Sequence, residues 1–247
     1  MKWSSCLALM TAMVLVVSAT HAEPDGNTKL ATQKAELARV QFLVGSWKGV
    51  GQPQRGSSKG AWTEQVEWAW RFEDGNVQLA AELKDSKWFS NFSLQAGKRP
   101  KYFVLVAKPL AGGDSIRYTG PLDDEGKLIL TTESPPSGLP VRMTLRTVAE
   151  GKRLLVLYEQ RTDRRQRLTR LAEVGYTRQG SGFGQGSSGP ECVVTGGFGS
   201  IEVTHQGKTY LVCCTGCRDY FLANPDEVLA EYAARKAEEK REAAAKN

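Results

Sequence analysis

Four of the five cysteines, Cys192, Cys213, Cys214 and Cys217, crowd into the C-terminal quarter of the chain. Twenty residues separate Cys192 from Cys213, and three separate Cys213 from Cys217. Closely spaced thiolates are the ligands of thiophilic ions, with Zn²⁺ and Cu(I) the usual occupants. The Cys213–Cys217 spacing offers two sulfurs on one face if the segment is helical, because residues i and i+4 lie above one another. Cys192 supplies a third sulfur from upstream. A fourth position falls to Cys214, to His205, to water or to a partner. A disulfide reading stands beside the metal reading, because cysteines of exported proteins are usually oxidised. It would join Cys192 to Cys213 or Cys214 and leave Cys217 for the other. A redox-switchable mixture of the two is a third alternative. His205 lies in a strand-like run, where a single histidine is more often a surface or core residue than a ligand.

The residues around these sulfurs form a longer pattern. Gly207, Lys208 and Tyr210 precede Cys213; Phe221 follows Cys217 by four positions, and Asn224-Pro225 comes next. From Pro190 to about Tyr232 the chain resembles the TRASH/YHS group of small treble-clef-like metal-binding modules. That resemblance implies binding, trafficking or sensing of heavy metals, with Cys192, Cys213 and Cys217 at the family's cysteine positions. Cys214 departs from it, standing where the family often has a small polar residue.

Several elements must position this stretch. Asn224 can cap a helix that begins at Pro225, with Asp226 and Glu227 favouring its positive end. Val228, Leu229 and Tyr232 can pack back on the module, expected over 190–232. Residues 233–247 read as a charged helical tail, polar all round. Upstream, 178–189 is a Gly/Ser-rich linker.

The region before it, 44–177, reads as a β-barrel domain. Trp62, Glu64, Val66, Trp68, Trp70 and Phe72 share one face by period two, with only Glu64 interrupting the apolar series. Val77, Leu79, Ala81 and Leu83 repeat the pattern, as do Val141, Met143 and Leu145. Turn residues divide the runs at 73–76, 96–98, 112–114, 123–126, 150–152 and 162–164. No helical pattern intervenes, so an antiparallel meander is expected, closed into a barrel that leaves no edge exposed. The opening residues, Phe42-Leu43-Val44-Gly45-Ser46-Trp47-Lys48-Gly49-Val50-Gly51, resemble the first strand of calycin-like barrels, nitrobindin-like domains among them. The resemblance implies Trp47 at the closed end and glycines that let the strand bend. A haem of the nitrobindin kind needs a histidine, and between Glu23 and Thr204 there is none, so no haem is expected. A helix over 23–43, with apolar positions Leu30, Leu37, Val40 and Leu43, leans on or plugs the barrel.

The expected fold is therefore mainly β: an antiparallel calycin-like barrel followed by a treble-clef-like metal module with a C-terminal helix. No enzyme is expected, since no histidine, cysteine nucleophile or paired carboxylates fall together in the barrel. Glu67, Glu82, Glu133 and Glu159 read as solvated outward positions, while Glu64 invites inspection. The tryptophans of the barrel are core residues or line a site for an apolar small molecule. The net charge of +6 is mild and its basic residues are dispersed, which argues against nucleic acid as a partner. Residues 1–22 read as a signal peptide, with Lys2 before the twelve-residue apolar run Cys6–Val17 and Ala22 at the cleavage site. No segment is long enough to be transmembrane. The protein is expected to be exported, to the periplasm or the extracellular space. It would capture Zn or Cu for trafficking, sensing or resistance. The alternative is an apolar-ligand carrier whose cysteine module is a structural staple.

Overall fold

The computed structural model describes residues 26–73, 75–133, 135–162, 167–179, 190–197 and 199–245. The expected leader with Cys6 and most of the Gly/Ser linker lie outside these residues. Among the described residues, no helix is long and apolar enough to cross a membrane.

Ten antiparallel strands close into a barrel: β1 Gly45–Gln52, β2 Trp62–Glu73, β3 Asn76–Lys84, β4 Phe89–Ala96, β5 Tyr102–Pro109, β6 Ile116–Pro121, β7 Leu128–Thr131, β8 Arg142–Val148, β9 Arg153–Thr162 and β10 Arg167–Arg178. Each strand pairs with its neighbours in sequence, and β1 closes the ring against β10. The expected faces hold. Glu64, Val66, Trp68 and Trp70 of β2 are buried inside, as are Val77, Leu79, Ala81 and Leu83 of β3. Closure gives each strand a neighbour on both sides and confines unpaired edge to strand ends such as that of β2 beyond Trp68.

A helix, α1 (Gly26–Ala38), and a short 3₁₀ turn (Gln41–Leu43) precede the barrel. They lie across one end of it. Gln33 Oε1 accepts the Val77 amide at the β2–β3 turn (3.1 Å), and Glu36 accepts the Lys101 amide in the β4–β5 loop (3.0 Å). Leu37, Val40 and Leu43 are fully buried there. Side chains of that size contribute about 1.5–3 kcal/mol each when removed from water. Trp47 is buried beneath them, with its Nε1–H donated to the Leu43 carbonyl at 2.7 Å and the Arg178 guanidinium 4.1 Å above its ring.

Two of the opening glycines also make room for neighbouring rings. Gly49 stands opposite both Tyr176 and Glu64 in the ladders. A Cβ there would lie 2.4 Å from the Tyr176 ring, and one at Gly51 would lie 2.3 Å from the Trp62 ring. The missing side chains let these two aromatic rings lean across β1.

The Tyr176 ring carries its hydroxyl to Glu64, which it hydrogen-bonds as donor. The other Glu64 oxygen accepts Trp62 Nε1–H at 2.6 Å. Burial raises the Glu64 pKa, against hydrogen bonds from Tyr176, Trp62, Ser86 and the Lys87 backbone. The residue that broke the apolar face is thus satisfied by polar partners near the far end of the barrel, where Trp62 and Trp88 meet edge to face at 5.5 Å. Glu159 corrects its expected solvated position. It is 8 % exposed and ion-paired with Arg142 on the neighbouring strand.

The C-terminal part is a two-stranded hairpin, β11 (Ile201–His205) and β12 (Lys208–Val212), followed by α2 (Thr215–Ala223) and α3 (Pro225–Ala245). Gln206 and Gly207 form the two-residue turn, both at positive φ (48° and 74°), the geometry that matches the twist of a tight hairpin. The expected α3 start at Pro225 holds, and the Val228 amide bonds to the Asn224 carbonyl at 3.1 Å.

Candidate metal centre

Three segments meet at the cysteines. The loop of residues 190–197 runs beside β12, held by Val193 N–H to Leu211 O, and Ser200 N–H bonds to Val212 O, both 2.9 Å. Within it the chain folds back on itself, with Gly196 N–H on the Cys192 carbonyl and Gly196 at φ 74°. This places fully buried Cys192 against the end of β12. Cys213 and Cys214 follow β12, and Cys217 lies in the first turn of α2. The expectation that Cys213 and Cys217 share a helical face is corrected here. The helix begins after Cys214, so the two sulfurs converge from a strand end and a helix start.

The Sγ atoms of Cys192, Cys213 and Cys217 all lie within 4.8 Å of one another, and all three residues are buried. Cys213 and Cys217 sulfurs are 3.5 Å apart. Cys214 Sγ is 3.9 Å from Cys213 Sγ. All four cysteines are free thiols. Four thiolates held about 2.3 Å from a Zn²⁺ ion stand about 3.8 Å apart along a tetrahedral edge. The Cys213–Cys217 and Cys213–Cys214 separations are near that value and well beyond a covalent S–S bond of about 2.05 Å, while Cys214 is not among the three sulfurs that all lie within 4.8 Å of one another.

His205 stands apart from this group. Its Nε2 is 3.9 Å from Asp226 Oδ1, and its ring meets Phe221 edge-on at 6.0 Å. Phe221, fully buried, fills the module between hairpin and helix.

The sulfurs share their protons. Hydrogen bonds from the Cys213 and Cys217 thiols hold the Cys192 and Cys214 thiols far below the ordinary cysteine range. Those same bonds push Cys213 up, and burial pushes Cys217 up. Thr195 Oγ1 lies 3.6 Å from Cys213 Sγ and adds a hydroxyl beside the cluster. A soft cation would have to displace the protons that Cys213 and Cys217 retain, so its binding releases protons.

The barrel contributes to this site in ways the sequence pattern did not reveal. β1 begins opposite Trp68, so the β2 backbone beyond that point has no β1 partner. α2 packs there. Trp70 N–H donates to Cys214 Sγ at 3.4 Å. Gly216 approaches so closely that a Cβ would lie 1.6 Å from the Trp70 carbonyl oxygen. Phe72 and Tyr220 stack at 4.1 Å beside a seam cleft of about 300 Å³. Arg178, at the end of β10, donates to the carbonyls of Val44 (2.6 Å), Phe42 (2.9 Å) and Gly151 (3.2 Å). Burial lowers its pKa to about 10, while the neighbouring Cys213 raises it, so it is cationic at neutral pH. From α3, Arg235 reaches Glu191 Oε1 at 3.0 Å and the Val193 carbonyl at 3.2 Å, bracing the Cys192 loop.

No family model matches the chain, and no curated protein matches it. Among solved structures, the chain is similar to that of Rv2717c from M. tuberculosis. The match has 19% sequence identity and a TM-score of 0.40, and covers 58% of this chain and 97% of that one.

Proposed function

We propose that the protein is an exported metal-binding protein that captures one thiophilic ion, Zn or Cu, through its cysteine cluster for trafficking, sensing or resistance. The observation that carries this reading is the convergence of three buried free thiols, Cys192, Cys213 and Cys217, within 4.8 Å. Sulfur donors match the ion class, and the 3.5 Å between the Cys213 and Cys217 sulfurs is close to an edge of a first coordination shell. The TRASH/YHS resemblance of 190–232 supports the same reading, because its cysteine positions are the three that meet. The C-terminal module is then the binding unit and the barrel its platform. No catalytic role is assigned.

The apolar-ligand alternative rests on the aromatic face of β2. There Trp68 stacks on Phe92 at 5.8 Å and Trp70 on Phe72 at 5.9 Å, so these rings serve each other as core. The metal reading is tested by equilibrium titration of the full chain with Zn²⁺ under reducing conditions. One ion per chain is expected, and substitution of Cys213 and Cys217 together should abolish uptake. Retained uptake in that double variant would count against the reading.

A further inference from the structure

The spacing leaves the fourth ligand open among Cys214, His205, water and a partner. Building on the metal reading above, we propose that Cys214 is the fourth ligand and that the free edge of β2 holds it in place, so that a bound metal fastens the C-terminal module to the barrel.

Three observations carry this. Cys214 Sγ lies 3.9 Å from Cys213 Sγ, one tetrahedral edge away, and a shift toward the three sulfurs that lie within 4.8 Å of one another would complete the set, whereas His205 faces Asp226 beyond Phe221. The Trp70 amide points at the Cys214 sulfur from a stretch of β2 that has left the β1 ladder. An N–H aimed at a ligand sulfur is the outer-shell contact that orients metal ligands and stabilises their charge. Third, Gly216 sets the distance. Its bare Cα lets the first turn of α2 lie directly on the Trp70 carbonyl, which brings Cys214 to the Trp70 N–H on the same strand.

The contact works in both directions. Four thiolates around a divalent ion carry excess negative charge. The Trp70 N–H and the Arg178 guanidinium, which feels the Cys213 charge, both offset it. Conversely, a metal that pins Cys214 keeps its sulfur on the Trp70 amide. Without the ion, the Cys214 sulfur is not pinned and that hydrogen bond opens more often.

The test uses the full chain and Co²⁺ as a spectroscopic stand-in for Zn²⁺. The intensity of sulfur-to-cobalt charge transfer reports the number of thiolates, and the visible bands report tetrahedral geometry. Wild type and His205→Asn should give the same four-thiolate spectrum, and Cys214→Ser a three-thiolate one. Hydrogen exchange at the Trp70 amide, followed in wild type with and without Zn²⁺, needs no variant. It should slow measurably on binding. Gly216→Ala keeps all four thiols but should abolish that slowing. The proposal fails if Cys214→Ser keeps the wild-type spectrum, if His205→Asn loses a ligand, or if Trp70 exchange ignores Zn²⁺. A wild-type protein that binds neither ion would instead overturn the metal reading itself.

Discussion

The backbone amide of Trp70 donates to the sulfur of Cys214 at 3.4 Å, joining positions 144 residues apart. Trp70 belongs to the barrel and Cys214 to the cysteine cluster. The two parts of the chain therefore meet at the candidate site, and the barrel end that receives the module is the one already covered by α1.

Arg178 makes that connection testable. Its guanidinium holds three carbonyls and covers Trp47 while offering positive charge to Cys213. Arg178→Gln should lower both thermal stability and Zn²⁺ affinity, the latter about tenfold, as outer-shell changes commonly do. Arg178→Lys keeps the charge but loses the planar fork. It should recover most of the affinity while remaining less stable than wild type. Competition titration against a chromophoric chelator, run alongside thermal melts, separates the two effects. If Lys restores neither, the charge contribution is refuted.

Gly49 tests the geometry of the far end. Gly49→Ala drives a methyl group into the Tyr176 ring, and overpacking of this kind costs about 1–3 kcal/mol. Gly175→Ala, on the neighbouring strand, meets only the tip of Arg153 at 3.2 Å and should cost less. Urea unfolding of the two variants ranks them.

Glu64 gives the barrel a pH signature. Its folded pKa is raised above the ordinary value of 4.5 by burial. The folded state therefore holds this proton more tightly than the unfolded chain does. The stabilisation is full below about pH 4.5 and is lost as pH rises through the folded pKa. Glu64→Gln cannot ionise, so it removes this loss. The stability of the variant relative to wild type should rise from pH 4 to pH 8, measured by urea unfolding at each pH. A flat difference would mean that burial does not govern this carboxyl.

Much of this was legible from residue patterns. The period-two face from Trp62 to Phe72 forecast the inner wall of β2, because alternation and burial are one constraint in a strand. Glu64 stood out as the break in that face. Cys192, Cys213 and Cys217 were found by spacing. The remainder depends on contacts between distant segments, which spacing does not encode. Gly49 and Gly51 were expected to let β1 bend, and that they also clear space for rings on β10 and β2 is not written in their spacing. Glu159 looked solvated until β8 brought Arg142 beside it. The Trp70 and Arg178 contacts with the sulfurs required knowing where β1 begins and on which barrel end the module lands.

The most direct test of the central claim is metal content by mass spectrometry together with a free-thiol count, on the full-length protein purified without chelators. The account predicts about one Zn or Cu per chain, with thiols that react only after the ion is removed, and loss of the ion in the Cys213→Ser/Cys217→Ser double variant. A protein without metal in which Cys192, Cys213, Cys214 and Cys217 are all oxidised would contradict it, because a disulfide-bonded cluster has no thiolates to offer.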